Sequence, residues 1–377
     1  MSGPTLVTKT APLPLFVETL RELPDVTADI LPHARHGAGK PIFDTRVRLT
    51  VAGRRCELLC EIKNSVFPRD VRELLWQLGE ELEEMFFGEE EIPGQPKADQ
   101  DTTPQLHVLV AASISSGAKD MLHEARVGYF DSGGSLYLPA PGAYLFVERP
   151  PPKPLAKSMR TLFAGKRAQV LHALLIRPQH WFGVTELARD AKASAATTSQ
   201  VLMEVERFDW LALQGQGPGK ERQLREPAAL LDAWAKHIVN EPAPELLRYY
   251  VPGGRVEALM GRLAQACDSH QVGYAISHEA AAQRYAPFLS NVSQVRARMD
   301  LGAPAAEAAL RDLGARPVQE GANLALIDAQ PPGDLLFREQ VDGQWLASPI
   351  HIYLDLLRGE ARAKEMAEHF RQERIGF

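Results

Sequence analysis

The chain has 377 residues, of which 45% are hydrophobic and 24% charged, and its net charge is −6. This composition excludes disordered, fibrous and collagen-like proteins, and the length predicts two or three domains. No apolar run approaches the roughly 18 residues of a membrane-spanning helix. Because segment 1–14 also lacks the basic start and apolar core of a secretory signal, we expect a cytoplasmic protein without membrane contacts.

The first block, residues 1–150, alternates helical and extended patterns. In chain order it predicts a helix near Leu15–Leu23, strands at Thr45–Val51 and Glu57–Ile62, a long helix from Pro68 to about Phe87, a strand at Leu106–Ala111, a helix near Ala118–Ala125 and two short strands ending at Phe146–Glu148. The chain's three cysteines, Cys56, Cys60 and Cys267, lack the paired spacing of a zinc site, so a reducing compartment without structural zinc is expected.

Three residues of this block have the pattern of a PD-(D/E)xK nuclease. Asp44 begins one predicted strand, and Glu61 and Lys63 lie two apart on the next, which places them on one face. Such an enzyme uses two carboxylates to hold Mg²⁺ and a lysine to orient the attacking water. The αβββαβ order of residues 15–112 is similar to that fold. We therefore expect Asp44, Glu61 and Lys63 to converge at the edge of one sheet.

The same residues also fit a structural role. Glu61 and Lys63 form an ordinary same-face ion pair in this interpretation, worth about 0–1 kcal/mol. Phe43 replaces the proline that usually precedes the first carboxylate, and seven glutamates between positions 80 and 91 would repel phosphate. We expect a scaffolding or dimerisation domain that binds no Mg²⁺ and no other cofactor. A Mg²⁺-dependent nuclease is the alternative.

Two proline-rich segments divide the chain. Arg149–Pro154 cannot continue a helix or a central strand because proline lacks the amide donor, and Asn240–Pro244 marks a second boundary. The predicted domains are residues 1–150, 155–240 and 245–377. Between Lys153 and Arg225 there are 12 Lys and Arg against 6 Asp and Glu, a local balance of +6 in an acidic chain. A basic island of this kind indicates contact with a phosphate backbone or, alternatively, a solvated basic face.

The middle block predicts the element order of a winged helix-turn-helix. In sequence, the elements are a helix at Gly165–Ile176, a short strand at Trp181–Val184, a helix capped by Thr185 and running to Ala191, a helix capped by Ser194, a strand at Trp210–Gln214, a glycine-rich loop at 215–219 and a returning strand that starts at Lys220–Arg222. This order is typical of DNA-binding domains. A winged helix used only for protein contacts is the competing interpretation.

The helix after Ser194 has a buried stripe and a short-chain face. Thr198, Leu202 and Val205 recur at helical spacing and are expected to be buried. The opposite face carries small or uncharged side chains, which suit a major groove. The candidate contacts to double-stranded DNA are Lys192, Ser194, Thr197, Ser199 and Gln200, with Lys220 and Arg222 at the wing tip.

The last block mixes helices and short strands. Helices are predicted at Val256–Cys267, Pro304–Leu313 and His351–Arg371, and strands at Val295–Met299 and Asn323–Ile327. The strand, turn and helix predicted around Gly273–Tyr285 are compatible with the element order of a nucleotidyltransferase that has lost its catalytic residues. Asp300 is the one acid on the next strand, and two-metal catalysis needs more carboxylates. We interpret His278 as a helix-start or packing residue.

With all three blocks considered, the chain resembles the AbiEi-like antitoxin regulators of type IV toxin–antitoxin systems. The resemblance rests on five stretches: Leu59–Lys63, Phe67–Val71, Val127–Gly134, Trp181–Ala188 and Ser348–Leu357. It implies an autorepressing DNA-binding regulator that opposes a nucleotidyltransferase toxin.

The fold class expected from these patterns is α/β multidomain. It comprises a restriction-endonuclease-like αβββαβ domain, a winged helix-turn-helix and a mixed α+β domain that binds a partner or effector. These patterns are compatible with either a monomer or a homodimer.

Overall fold

The computed structural model describes residues 12–32, 43–87, 103–140, 143–150, 152, 161–253, 255–359 and 362–377. Over these ranges the chain is a mixed α/β protein with twelve α-helices, two seven-stranded sheets and one two-stranded hairpin. It forms two compact units, one of residues 1–159 with 206–209 and one of residues 160–205 with 210–377. In the described part of the chain, no helix is both long and apolar enough to cross a membrane.

The first unit is built around one sheet. Its elements are α1 (Pro12–Arg21), β1 (Val26–Leu31), β2 (Thr45–Val51), β3 (Arg54–Val66), α2 (Pro68–Phe87), β4 (Gln105–Ile114), α3 (Ser116–Glu124), β5 (Gly128–Asp131), β6 (Leu136–Ala140) and β7 (Ala143–Val147). The strands are neighbours in chain order, with β4 parallel to β3 and to β5 and the remaining pairs antiparallel.

Each face of this sheet has its own core. Phe16 of α1 packs with Leu58 on one face, whereas Leu109 packs with the apolar sides of α2 and α3 on the other. Because successive strand residues point to opposite faces, the long strand β3 contributes to both. Glu61 lies beside Leu109 in the register of β3 and β4, so it belongs to the face that α2 and α3 cover.

The predicted positions of β2 and α2 are confirmed, while other elements differ. The first helix lies at 12–21 rather than near Leu15–Leu23, and β3 extends beyond Glu57–Ile62 in both directions. The strand β1 was not located from the sequence. It is a sheet-edge strand in which Ala28 is the one buried residue, so it carries almost no hydrophobic pattern.

A buried ion pair fixes the turn between β5 and β6. The Nζ atom of Lys119, on α3, lies 2.6 Å from Oδ2 of Asp131 and donates to Oγ of Ser135 at 2.7 Å. The Asp131 side chain is 0% exposed, and its Oδ1 accepts the backbone N–H groups of Gly133 and Ser135. A β-carbon on Gly133 would lie 2.9 Å from that oxygen, so the turn needs glycine here.

The second unit begins with the segment predicted to be a winged helix-turn-helix and ends with a second sheet. Its elements are α4 (Gly165–Ile176), α5 (Val184–Asp190), α6 (Ala195–Arg207), β8 (Leu211–Gln214), β9 (Glu221–Leu224), α7 (Pro227–Asn240), β10 (Leu247–Tyr250), α8 (Val256–Ser269), β11 (Tyr274–Ser277), α9 (His278–Tyr285), β12 (Val295–Met299), α10 (Ala306–Leu313), β13 (Arg316–Pro317), β14 (Leu324–Asp328), β15 (Glu339–Val341), β16 (Gln344–Leu346), α11 (Pro349–Leu357) and α12 (Arg362–Phe370). The strand order of the larger sheet is β13-β10-β14-β12-β11-β16-β15.

Three predicted elements of this unit are corrected. The predicted strand Trp181–Val184 is reduced to a single bridge between Phe182 and Arg222. Pro304 precedes α10, which begins at Ala306. The single helix predicted over His351–Arg371 is two helices, α11 and α12, because the sequence around Gly359 interrupts it.

Candidate nucleic-acid interface

The turn between α5 and α6 orients the second helix. Lys192 adopts a left-handed backbone conformation, with φ of 50°, and its side chain is exposed. Ser194 then caps α6: its Oγ accepts the N–H of Thr197 at 3.1 Å and lies 2.9 Å from the Thr197 hydroxyl. The predicted cap is therefore confirmed. It also means that the hydroxyls of Ser194 and Thr197 are already bonded to each other at the start of the helix.

The cap predicted for α5 is wrong by two residues. Gly183 occupies the N-cap position with an extended backbone, and the helix begins at Val184 rather than after Thr185. Both glycine and threonine are accepted at N-caps, so the local sequence does not decide between them. The bridge that Phe182 forms with Arg222 ends just before Gly183 and so sets where the helix begins.

The helix α6 separates a buried side from an exposed side as the sequence predicted. Thr198, Leu202 and Val205 are each 0% exposed. On the opposite side Ala195, Ala196 and Gln200 are exposed, and Met203 is 52% exposed. Ser199 and Thr197 are half-buried at the borders of this face.

The exposed side of α6 carries no charge from its start to Met203. From Ala193 to Met203 the sequence contains no acidic or basic residue. The first acidic residue of the helix, Glu204, pairs with Arg167 of α4. An exposed helix surface of small, amide and thioether side chains differs from an ordinary solvated helix face, which is mostly charged.

The hairpin β8–β9 lies where the sequence predicted the wing. Its strands pair from Leu211 with Leu224 to Gln214 with Glu221, and these last two side chains hydrogen-bond at 2.7 Å. The loop depends on Gly215, which has φ of 73°, because a β-carbon there would lie 2.6 Å from the carbonyl oxygen of Gly219. Lys220 is half-buried beside this loop.

Arg222 does not stand at the wing tip as the sequence predicted. Its side chain is buried, at 7% exposure, and its Nη1 donates to the carbonyl oxygen of Lys220 at 3.1 Å. Its backbone N–H and carbonyl both pair with Phe182, at 3.0 and 2.8 Å. The prediction assumed an isolated hairpin, whereas β9 forms part of the domain core. Arg222 is therefore a structural residue of the wing.

A basic residue that the sequence reasoning missed lies near the turn. The Arg189 side chain, in the last turn of α5, is 74% exposed, and its Nε lies 3.8 Å from the Asp190 carboxylate. The sequence feature that could have identified Arg189 as a candidate DNA contact is its position three residues before Lys192. Together with Lys192 it gives the turn two exposed basic side chains.

In the first unit, the three nuclease-like residues lie next to one another. Oδ2 of Asp44 accepts the N–H of Ile62 at 2.7 Å, which places this carboxylate between Glu61 and Lys63 on the chain. Nζ of Lys63 lies 3.0 Å from Oε1 of Glu61. Both carboxylates thus have an oxygen bonded to a protein group. Within the described residues, no three His, Cys, Asp or Glu side chains are grouped to hold a metal ion. The second carboxylate oxygen of Glu61, Oε2, is buried and has no hydrogen-bond partner among these residues.

The last part of the second unit contains a buried polar cluster around Asp355. Arg298 donates from Nη2 to Oδ1 at 2.5 Å, the hydroxyl of Ser277 donates to Oδ2, and Nδ1 of His278 lies 3.8 Å away. Burial alone would raise the pKa of Asp355, but Arg298, His278 and Ser277 hold it below its usual value. His278 begins α9, in agreement with its predicted place at a helix start.

A second polar contact joins α4 to α11. Nε2 of His172 lies 2.6 Å from Oγ of Ser348, and its ring packs against that of His351 with centroids 4.3 Å apart. Burial lowers the pKa of His172 to about 3, with a further contribution from the charge of Arg298. Burial likewise lowers the pKa of His351 well below its usual value, with contributions from His172 and Arg298. Both rings are therefore neutral at pH 7.

Comparisons with family models, with curated proteins and with solved structures found no match to this chain.

Proposed function

We propose that this protein is a sequence-specific DNA-binding regulator in which α6 enters the major groove of double-stranded DNA. The observation that carries the proposal is the exposed side of α6, uncharged from Ala195 to Met203, between a turn with two basic side chains and the predicted wing. An α-helix fits the major groove, and base edges there are read by amide groups and by apolar contacts.

The side chains of α6 suit this role by their size and chemistry. Ala195 and Ala196 are exposed and short, so they let the helix backbone approach the bases. Gln200 is exposed one turn later and has the donor and acceptor pair that matches adenine. Met203 adds an exposed apolar surface for a thymine methyl group. Ser199 lies at the border of this face and supplies a hydroxyl.

The basic residues around α6 suit contacts to phosphate. Lys192 and Arg189 are exposed on one side of the helix start, and Lys220 lies beside the wing loop. Phosphate contacts of this kind position a protein on the duplex without reading sequence. The excess of six basic residues between positions 153 and 225 supports the same assignment.

The biological setting we propose comes from the resemblance in sequence. On that basis the protein represses its own operon and opposes a nucleotidyltransferase toxin. In this proposal the first unit serves as a scaffold or dimerisation domain, and its Asp44, Glu61 and Lys63 do not catalyse DNA cleavage.

The test of the proposal is fluorescence anisotropy on a labelled duplex taken from the region upstream of its own gene, with a shuffled duplex as the control. We expect the upstream duplex to bind at least 10³-fold more tightly than the shuffled one at physiological salt. Equal affinity for the two duplexes, or no binding to either, would contradict sequence-specific recognition.

A further inference from the structure

The second unit contains a cavity of about 460 Å³ that nothing in the proposed DNA contact uses. Ala168 of α4 and Trp234 of α7 line one side, and Arg298, Asp355 and Arg358 line the other. Its size is within the range of pockets that bind small molecules. The helix α4, which forms one wall of the cavity, is the first helix of the predicted winged helix-turn-helix.

The cavity is lined by side chains of both charges. Arg298 pairs with the buried carboxylate of Asp355. Burial lowers the pKa of Arg358, the charge of Arg298 lowers it further, and the charges of Asp355 and Glu241 act in the opposite direction. Arg358 donates from Nε to the carbonyl oxygen of Ile238 at 3.1 Å. No ion pair joins it to a carboxylate among the residues that the structure describes. Arg358 is therefore an arginine of the cavity wall without a carboxylate in direct contact among these residues, although Asp355 and Glu241 are near enough to attract it.

Two unpartnered polar atoms belong to the same wall. Nε of Arg298 and Nδ1 of His351 are buried and have no hydrogen-bond partner in the described part of the chain. A buried polar group without a partner is unfavourable unless a water molecule or a ligand completes its hydrogen bonds.

Two further carboxylates, of Asp328 and Asp334, also line the cavity. Asp328 is exposed and accepts the N–H of Leu301 at 3.2 Å, and Asp334 accepts the N–H of Gln330 at 2.9 Å. Both carboxylates retain oxygen lone pairs for a ligand that carries N–H donors.

From this distribution we propose that the cavity binds a small organic anion that also carries a ring and N–H donors. The anionic group pairs with Arg358 and Arg298, the ring lies against the apolar wall near Trp234, and the donors meet Asp328 and Asp334. Aromatic amino acids and aminopurine nucleotides share this chemistry.

The binding experiment uses 8-anilinonaphthalene-1-sulfonate, an aromatic anion with one N–H group, on the full-length protein without DNA. We expect saturable binding at one site with increased probe fluorescence. Arg358→Gln should weaken binding about ten-fold or more, because it removes a charge-assisted contact. Ala168→Leu should also weaken it by filling the cavity while every charge is kept. Arg311→Gln, an exposed arginine of α10, is the matched control and should bind like wild type.

Competition then distinguishes the two sources of the natural ligand. Displacement of the probe by adenosine monophosphate assigns a nucleotide, displacement by L-phenylalanine assigns an amino acid, and inorganic phosphate tests the anion alone. Equal probe binding by wild type, Arg358→Gln and Ala168→Leu, or no saturable binding, would overturn the proposal. Because no DNA is present, this result is independent of whether α6 binds DNA.

Discussion

At the scale of single residues, the least replaceable contacts are buried charges and neutral histidines. Asp131 and Lys119 lie together in the first unit, and Asp355 and Arg298 in the second, each pair removed from water. A pair of this kind contributes little compared with an apolar pair of the same shape, but removing one partner leaves the other charge buried and unpaired. Such residues fix the local structure because the cost of losing either one is large.

The Lys119–Asp131 pair gives a direct stability prediction. Asp131→Ala should lower the free energy of unfolding by about 3–5 kcal/mol, since Lys119 would remain buried without its counter-charge. Urea denaturation measures this difference. Asp29→Ala, which breaks the exposed Arg21–Asp29 pair, is the control and should change stability by about 1 kcal/mol or less. Similar losses in the two variants would show that burial does not govern the effect.

The buried histidines predict a loss of stability on the acid side of neutrality. The folded-state pKa of His172, about 3, is below the unfolded value near 6.5, so the unfolded chain binds more protons between these pH values. Stability is thus complete above about pH 6.5 and falls as the pH is lowered towards 3. From pH 7 to pH 5 His172 should remove about 2 kcal/mol of stability.

His172→Met tests this assignment, because methionine does not titrate. Between pH 7 and pH 5, the free energy of unfolding of this variant should fall by about 2 kcal/mol less than that of wild type. Urea denaturation at both pH values measures the difference. A variant that loses as much stability as wild type over this interval would remove His172 from the groups responsible.

At the scale of elements, the predictable parts are those whose pattern is local. β2 and α2 follow from period-two and helical spacing, and the Ser194 cap and the buried stripe of α6 follow from rules that act within one helix turn. β1 could not be found because an edge strand with one buried residue has no periodic signal. Arg222 could not be placed because its burial depends on pairing with Phe182, forty residues earlier. The contact between His172 and Ser348 joins residues 176 positions apart and has no local signal at all.

The wing loop gives a prediction with a matched pair of glycines. Gly215→Ala should destabilise the hairpin by about 1–3 kcal/mol, because the residue has a positive φ and its β-carbon would collide with the Gly219 carbonyl. Gly219→Ala, where the β-carbon meets nothing within 4 Å, should be nearly neutral. Thermal unfolding compares the two. Equal effects would mean that the loop backbone differs from the one described.

The two basic residues of the wing should behave differently in DNA binding. Lys220→Ala should weaken binding to every sequence and reduce the slope of log K against log salt by about 1, as expected for one lost phosphate contact. Arg222→Ala should lower stability instead, because its buried guanidinium bonds to the hairpin backbone. The salt slope and the unfolding temperature, measured on both variants, separate these roles. An unchanged slope for Lys220→Ala would remove the wing from the phosphate contacts.

At the scale of the whole molecule, positive charge is concentrated in one stretch of the chain. The basic excess lies in residues 153–225, and the remainder of the chain is acidic. In the first unit, Asp44 and Glu61 are adjacent on one sheet, as the sequence predicted, and each has one oxygen that contacts a protein group. A scaffold remains our prediction for this unit, with a metal-dependent nuclease as the alternative.

The absence of nuclease chemistry is a prediction that remains to be tested. We expect the purified protein not to cut supercoiled plasmid in Mg²⁺, and Glu61→Ala and Lys63→Ala to bind DNA like wild type if they stay folded. Cleavage that requires Mg²⁺ and is abolished by both substitutions would place the nuclease function first.

The most direct test of the account is the effect of Gln200→Ala on affinity for the upstream duplex and for a shuffled duplex, measured by fluorescence anisotropy. If Gln200 of α6 reads a base edge, the substitution should cost about 1–3 kcal/mol on the upstream duplex, roughly 5–150-fold in affinity, and little on the shuffled one. Gln319→Ala, an exposed glutamine outside α6, should leave both affinities unchanged. Unchanged affinity of Gln200→Ala for the upstream duplex, or equal losses on the two duplexes, would contradict base reading by α6.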